Sequence, residues 1–227
     1  MSTGNSTPHL PEDYDAQIRK TIPYYDSFRQ EIINLVSALG VPPKVWLDTG
    51  CGTGSMARLV LDRFPHTKLI LADPSEDMLK VARRRLEGED RVRILRPMPT
   101  QDLPGELDDT PDLITAVQCH HYLSRQERMR AVRACFDLLP SGGALITFEN
   151  VRPLTAAGTE VSKRAWHDFL VANGRSPEEA SSHLARFDTE YFPITVEEHL
   201  DLLRSTGFRT VEVLWMSYMQ VGLYCIR

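Results

Sequence analysis

The stretch Leu47-Asp48-Thr49-Gly50-Cys51-Gly52-Thr53-Gly54 constrains this chain more than any other. Glycines let the backbone turn sharply and come close to a neighbour, because no Cβ intervenes. The apolar run Val45-Trp46-Leu47 before it reads as a short strand. Ser55 to Phe64 after it reads as a helix, with Met56, Leu59, Val60 and Phe64 on one face. The rhythm then continues. Lys68 to Ala72 reads as a second strand, stopped at Asp73-Pro74. Ser75 caps a helix that carries Met78, Leu79, Ala82 and Leu86. Val92 to Leu95, Asp112 to Val117 and Ala144 to Phe148 read as three more strands. Ser124 and Glu127 form a capping box ahead of Met129, Val132, Phe136 and Leu139. Strands interleaved with helices predict a parallel sheet with right-handed crossovers.

The flanks complete the picture. Residues 1–20 read as a flexible N-terminal tail, and Tyr24 to Leu39 as a helix ended by Gly40, Pro42 and Pro43. Residues 151–193 break the alternation with two helices, about Glu160 to Ala172 and Glu178 to Phe187. They read as a helical lid insertion covering one edge of the sheet. Thr195 and Glu198 cap a further helix, which Gly207 stops. Thr210 to Ile226 reads as two strands joined around Ser217 to Gln220, a joint short enough for an antiparallel pair. The expected fold is therefore α/β: a Rossmann-like, doubly wound, seven-stranded and mostly parallel sheet over 21–227, with an antiparallel C-terminal strand.

Composition narrows the function. Twenty-six basic against 31 acidic residues give a net charge of −5, which argues against a globally basic nucleic-acid coat. No apolar run reaches the roughly 18 residues of a spanning helix, so no membrane partner is expected. The start lacks a basic segment followed by an apolar one, so secretion is not indicated. Cys51, Cys119, Cys135 and Cys225 show no C-x-x-C spacing, which fits reduced thiols and a cytoplasmic location. No metal-binding pattern appears, and none is expected to be bound.

A dinucleotide loop reads G-x-G-x-x-G, whereas this one reads G-x-G-x-G, and the P-loop ending in Gly-Lys-Ser/Thr is absent. Asp48 places a negative charge beside the glycines, which suits a cationic amino-acid group better than phosphates. Asp73, about 20 residues on at the end of the second strand, is placed to accept hydrogen bonds from both hydroxyls of a ribose. A tight βα turn and a helix-capping acid would leave the same traces, and the combination with its strands and helix favours the nucleotide reading.

The motifs LDTGCGTG, LILADPSEDML, DLITAVQCHHYL and GGALITFEN occur in the order seen in class I S-adenosylmethionine (SAM)-dependent methyltransferases, which the chain resembles from Pro43 to Arg227. IPYYDSFRQEIINLV, FLVANGRSPEEASSHLARFD and STGFRTVEVLWMSYMQVGLYCIR are similar to the carboxy-SAM synthase and wobble-uridine tRNA methyltransferase branch. The carboxylate-binding arginine of the carboxy-SAM synthases would fall near Leu184, so plain SAM is the expected cofactor, with S-adenosylhomocysteine as product. The resemblance implies that Asp48, Gly50, Cys51 and Gly52 hold the methionine end. It implies that Asp73 and Pro74 flank the ribose and Met78 the adenine, with Thr100 or Gln101 beyond the third strand. Gln118 would sit beside the methionine amino or carboxylate group, and Tyr24 and Tyr25 would close over the cofactor. The branch also implies a homodimer.

SAM brings an activated methyl, so such a protein must align the nucleophile and exclude water. His120 and His121 follow the fourth strand and titrate near neutrality, which makes them candidate catalytic bases. A histidine packed under a helix start would look the same. Glu149 and Asn150 end the fifth strand on that rim, to bind an acceptor or to cap a loop. His167, His183 and Arg186, with Trp166, Phe169 and Phe187, give the lid an aromatic and basic character. A small-molecule acceptor is the first expectation and a tRNA the second. A SAM-binding sensor or partner subunit without chemistry is the rival class.

Overall fold

The computed structural model describes residues 9–227. Its helices are α1 (Tyr14–Thr21), α2 (Tyr25–Ala38), α3 (Ser55–Arg63), α4 (Glu76–Arg85), α5 (Arg125–Leu138), α6 (Ala156–Ala172), α7 (Pro177–Ala185) and α8 (Val196–Thr206). Its strands are β1 (Val45–Thr49), β2 (Lys68–Ala72), β3 (Val92–Ile94), β4 (Leu113–Val117), β5 (Ala144–Asn150), β6 (Thr210–Ser217) and β7 (Gln220–Ile226). They form one seven-stranded sheet in the order β3-β2-β1-β4-β5-β7-β6. β7 alone runs against its neighbours, pairing antiparallel with β5 and β6.

All five residues of β1 are buried, as a central strand covered on both faces requires. Successive residues serve opposite faces: Trp46, Leu69 and Leu71 join Phe28, Ile32 and Val60 of α2 and α3. Leu47, Ile70 and Ala72 join Val132, Cys135 and Leu203 of α5 and α8. Capping boxes open α5, α7 and α8, at Ser124, Ser176 and Thr195.

Two expectations change. Of the tail expected over 1–20, positions 1–8 lie outside the described residues, but Tyr14–Thr21 is a helix that buries Ile18 and Thr21. Its apolar residues are few, so its order comes from tertiary contacts. The lid helix α6 starts at Ala156, where Thr155 caps it by accepting the N–H of Gly158.

The edge that the lid covers is the carboxyl rim. Trp166 Nε1 donates to Thr21 O at 2.8 Å, and Phe192 N donates to His121 O at 2.7 Å. The lid is thereby fastened to α1 on one side and to the loop after β4 on the other. Among the described residues, no helix is long and apolar enough to cross a membrane.

Candidate active site

β1 delivers the glycine loop to the carboxyl rim. Gly50 has a φ of +68°, and a Cβ there would meet Cys119 Cβ at 2.4 Å, so this glycine exists for contact with the loop after β4. A Cβ on Gly52, at φ +53°, would meet open space. The Gly52 N–H donates to Asp73 Oδ2 at 2.9 Å, and Ser75 N donates to Asp73 Oδ1 at 2.8 Å. The Asp73 carboxylate is thus held rigidly at the end of β2, and each oxygen retains a lone pair. Burial pushes its pKa up to about 6, although both N–H donors pull it down.

Asp48 is buried and accepts the Thr115 hydroxyl at 2.6 Å. Burial raises its pKa to about 7, against that hydrogen bond and the charge of Arg29. Arg29 of α2 is only 4% exposed, stands over the Tyr25 ring at 5.2 Å and leaves Nε without a partner. The sequence reading missed it, because a single arginine on an amphipathic helix looks like surface.

Tyr25 is buried and hydrogen-bonds Ser55, the first residue after the loop. Tyr24 does not close over the loop. It is 54% exposed, and its ring packs on Trp215 and Tyr218 at 6.1 and 6.3 Å. Its left-handed φ of +59° sits at the N-cap of α2, where adjacent side chains diverge. Tyr14 stands over the site instead, close enough to Asp73, Tyr25 and Tyr122 for their charges to act on its hydroxyl.

Met78 is buried in the first turn of α4 and Pro74 is exposed. Thr100 turns inward, its hydroxyl 2.7 Å from Thr49 Oγ1 and 3.1 Å from His120 Nε2, so its side chain fastens the loop after β3 to the sheet. Gln101 keeps a buried Oε1 without a partner. Gln118, at the end of β4, holds a φ of +55° and leaves Nε2 unpartnered. A non-glycine residue in that region carries strain of about 1–3 kcal/mol, which clusters at functional sites.

These orphans test the expected cofactor. Gln101 Oε1 is an acceptor on the side assigned to adenine, whose amino group is a donor. Gln118 Nε2 and Arg29 Nε are donors on the side assigned to methionine, whose carboxylate is an acceptor. The residues present fit SAM.

His120 and His121 are both buried and both engaged. Glu149 accepts their backbone N–H groups at 3.1 and 2.9 Å, together with the Thr147 hydroxyl at 3.0 Å, and its Oε2 lies 2.7 Å from His121 Nδ1. Burial alone would raise the pKa of Glu149, but the hydrogen bond and charge of His121, with His120 and His199, hold it at about 2. Glu149 is thus a buried anchor that fixes the loop after β4. Asn150 Nδ2 lies 3.3 Å from His121 Nε2.

A cavity of about 20 Å³ lies beside Gln118 and Asn150, walled by Tyr14 and Tyr122 and, from the lid, by His183 and Tyr191. Neither His120 nor His121 lines it. His183 Nε2 and the Tyr191 hydroxyl have no partner. An open vestibule of about 410 Å³ shares His9, His183 and Arg186 with this cavity, so these three side chains form the wall between the two. The sequence reading named His183 and Arg186 as lid residues but could not place them at the mouth. Among the described residues, no cluster of His, Cys, Asp and Glu could hold a metal, and all four cysteines are free thiols.

Residues 47–143 match the family described as "Methyltransferase domain". The chain is 24% identical over 220 residues to the carboxy-S-adenosyl-L-methionine synthase of Methylococcus capsulatus, covering 94% of this chain and 89% of that protein. It is 31% identical to the demethylmenaquinone methyltransferase of Thermotoga maritima over 129 residues, 56% of this chain and 52% of that one. Among solved structures it is similar to a plantazolicin methyltransferase bound to S-adenosylhomocysteine, at a TM-score of 0.70 and 15% identity, covering 95% of this chain and 91% of that one. Human N-acetylserotonin methyltransferase in complex with SAM has a TM-score of 0.58 and 14% identity; the match covers 99% of this chain and 60% of that chain.

Proposed function

We propose that the chain, whose residues 47–143 match the methyltransferase domain family, is a class I SAM-dependent methyltransferase that transfers the methyl group to a small molecule. The observation that carries this reading is the acceptor space. The cavity beside Gln118 is roofed by α1 and the lid, and across the wall of His9, His183 and Arg186 lies a vestibule of about 410 Å³, the scale of a metabolite site. The net charge of −5 also suits a small acceptor better than a polyanionic one.

When bound, SAM supplies a methyl on a sulfonium, already activated for displacement. This chain's residues do the rest. Asp73 offers its free lone pairs to the ribose, Gln101 its amide oxygen to the adenine amine, and Arg29 and Gln118 their N–H groups to the methionine carboxylate. Tyr14, Tyr25 and the lid keep water from the rim. In-line alignment of this kind can supply about 7–11 kcal/mol of barrier lowering in the best intramolecular cases.

The names of the full-length relatives suggest carboxy-SAM synthesis instead. Leu184 is a partly buried apolar side chain packed on the core, so no guanidinium stands at the position assigned to the carboxylate-binding arginine. That favours the unmodified cofactor. A purified sample given SAM should release S-adenosylhomocysteine with a protein-free metabolite extract and none with bulk tRNA. Release with tRNA alone would overturn the reading.

A further inference from the structure

We propose that the acceptor is a small anion whose nucleophile is an ionised oxygen. That oxygen sits among Gln118, His183 and Tyr191, and the body of the molecule lies in the vestibule. The proposal deepens the methyltransferase reading and rests on it.

The geometry is that of an anion site. Gln118 is 8% exposed and Tyr191 is 2% exposed, and their unpartnered Gln118 Nε2 and Tyr191 hydroxyl line one cavity. Both are donors, and His183 Nε2 donates in one of its two neutral tautomers. No Asp or Glu is among the residues lining that cavity. The Gln118 amide nitrogen carries two hydrogens, one for the methionine carboxylate and one for the acceptor. An orphaned buried donor costs roughly 1–3 kcal/mol, and an oxyanion would satisfy that second hydrogen together with Tyr191 and His183.

The vestibule extends the argument. It presents Arg175, Arg186, His9 and His183 together with Glu178 and Glu179. The two carboxylates are committed to opening α7: Glu179 Oε2 accepts Ser176 N at 2.8 Å, and Glu178 Oε2 accepts Ser176 Oγ at 2.8 Å. Arg186 is paired with Glu190 on the outer side at 2.7 Å. All three carboxylates keep their charges, so Arg175 and Arg186 act at the mouth as local cationic donors and not through a net positive field. Burial lowers the pKa of His183 to about 3 and that of His9 to about 4, and the charges of Arg175 and Arg186 add to this. Burial penalises a buried charge of either sign, but the two guanidinium charges disfavour an ammonium beside them and favour an anion.

An ionised oxygen explains why the cavity shows no poised base. The oxygen supplies its own electron pair and forms the O–C bond. The C–S bond breaks with its pair left on sulfur, which becomes a neutral thioether, and no proton is transferred.

The test is calorimetry on the full chain saturated with S-adenosylhomocysteine, using benzoate, 4-nitrophenolate, benzyl alcohol and benzylamine as probes. At least one acid should bind tenfold or more tighter than benzyl alcohol, and benzylamine should not bind. The two acids distinguish a carboxylate from a phenolate. Tyr191→Phe, and separately Arg175→Gln at the vestibule wall, should each weaken that acid threefold or more while S-adenosylhomocysteine affinity stays within twofold. Benzyl alcohol or benzylamine binding as tightly as the acids would overturn the proposal. So would a failure of both acids to bind protein that still holds S-adenosylhomocysteine, or unchanged acid affinity in both variants. A chain that binds no S-adenosylhomocysteine would overturn the methyltransferase reading itself.

Discussion

Asp73 is the residue whose chemistry is most sharply set. Its two oxygens are pinned by Gly52 N and Ser75 N, and each keeps a lone pair for a further donor. Asp73→Asn should weaken S-adenosylhomocysteine binding by about 1–3 kcal/mol, the range for hydrogen bonds to a charged group. The carboxyl's raised pKa of about 6 adds a pH signature. The folded protein holds that proton more tightly than the unfolded chain, so the stability it contributes without cofactor falls as pH rises through 6. Binding needs the ionised form. Affinity in the wild type should therefore decline below about pH 6, and the asparagine variant should lack this decline in calorimetric titrations. Neighbouring residues show how steep the choice of orientation is: Tyr24 points to solvent and Tyr25 to the loop, one position apart.

At the scale of elements, a buried carboxylate anchors the loop between β4 and α5. Glu149 of β5 accepts two successive backbone N–H groups from it. Removing one partner of a buried ionic network is expensive, so Glu149→Gln should cost roughly 3 kcal/mol at pH 7. The folded pKa of about 2 lies below the ordinary 4.5. The stabilisation is therefore present above pH 4.5 and disappears as pH falls toward 2. Thermal denaturation across that window should show a steep loss in the wild type and a flatter one in the variant. A variant with unchanged melting at pH 7 would contradict the anchoring role. The sequence stated both readings of His120 and His121, and the structure gives them the anchor's geometry.

Across the whole molecule, residues 9–21 form a strap over the rim. At one end Asp15 pairs with Arg85 of α4 and accepts the Thr53 hydroxyl at 2.9 Å, and Arg84 pairs with Glu12. At the other end Thr21 receives Trp166 and Arg175 of the lid region. Arg84 and Arg85 of α4 thus tie the strap to the rest of the domain. Loosening either end should open the rim to a ligand as large as SAM. Asp15→Asn should speed dissociation of S-adenosylhomocysteine fivefold or more in stopped-flow measurements. The melting temperature should shift little, because partly exposed ion pairs contribute about 0–1 kcal/mol. Unchanged dissociation would mean that exchange takes another route.

Local rules were enough for the alternation of strands and helices, the capping boxes, the glycine loop and the acid after β2. Each depends on neighbours within a few positions, where periodicity and backbone preference speak directly. The mostly parallel sheet followed from that order, because crossovers have one hand. The sequence could not rank polar side chains that lie on the same rim. Whether His121 or His183 meets an acceptor depends on Glu149, 28 residues away, and on how the lid seats against α1. The helix Tyr14–Thr21 was equally invisible, since its order comes from Arg85 and Trp166 rather than from its own residues. Folding brought those distant groups within a few ångströms, and desolvation then decided which became structural and which were left facing a ligand.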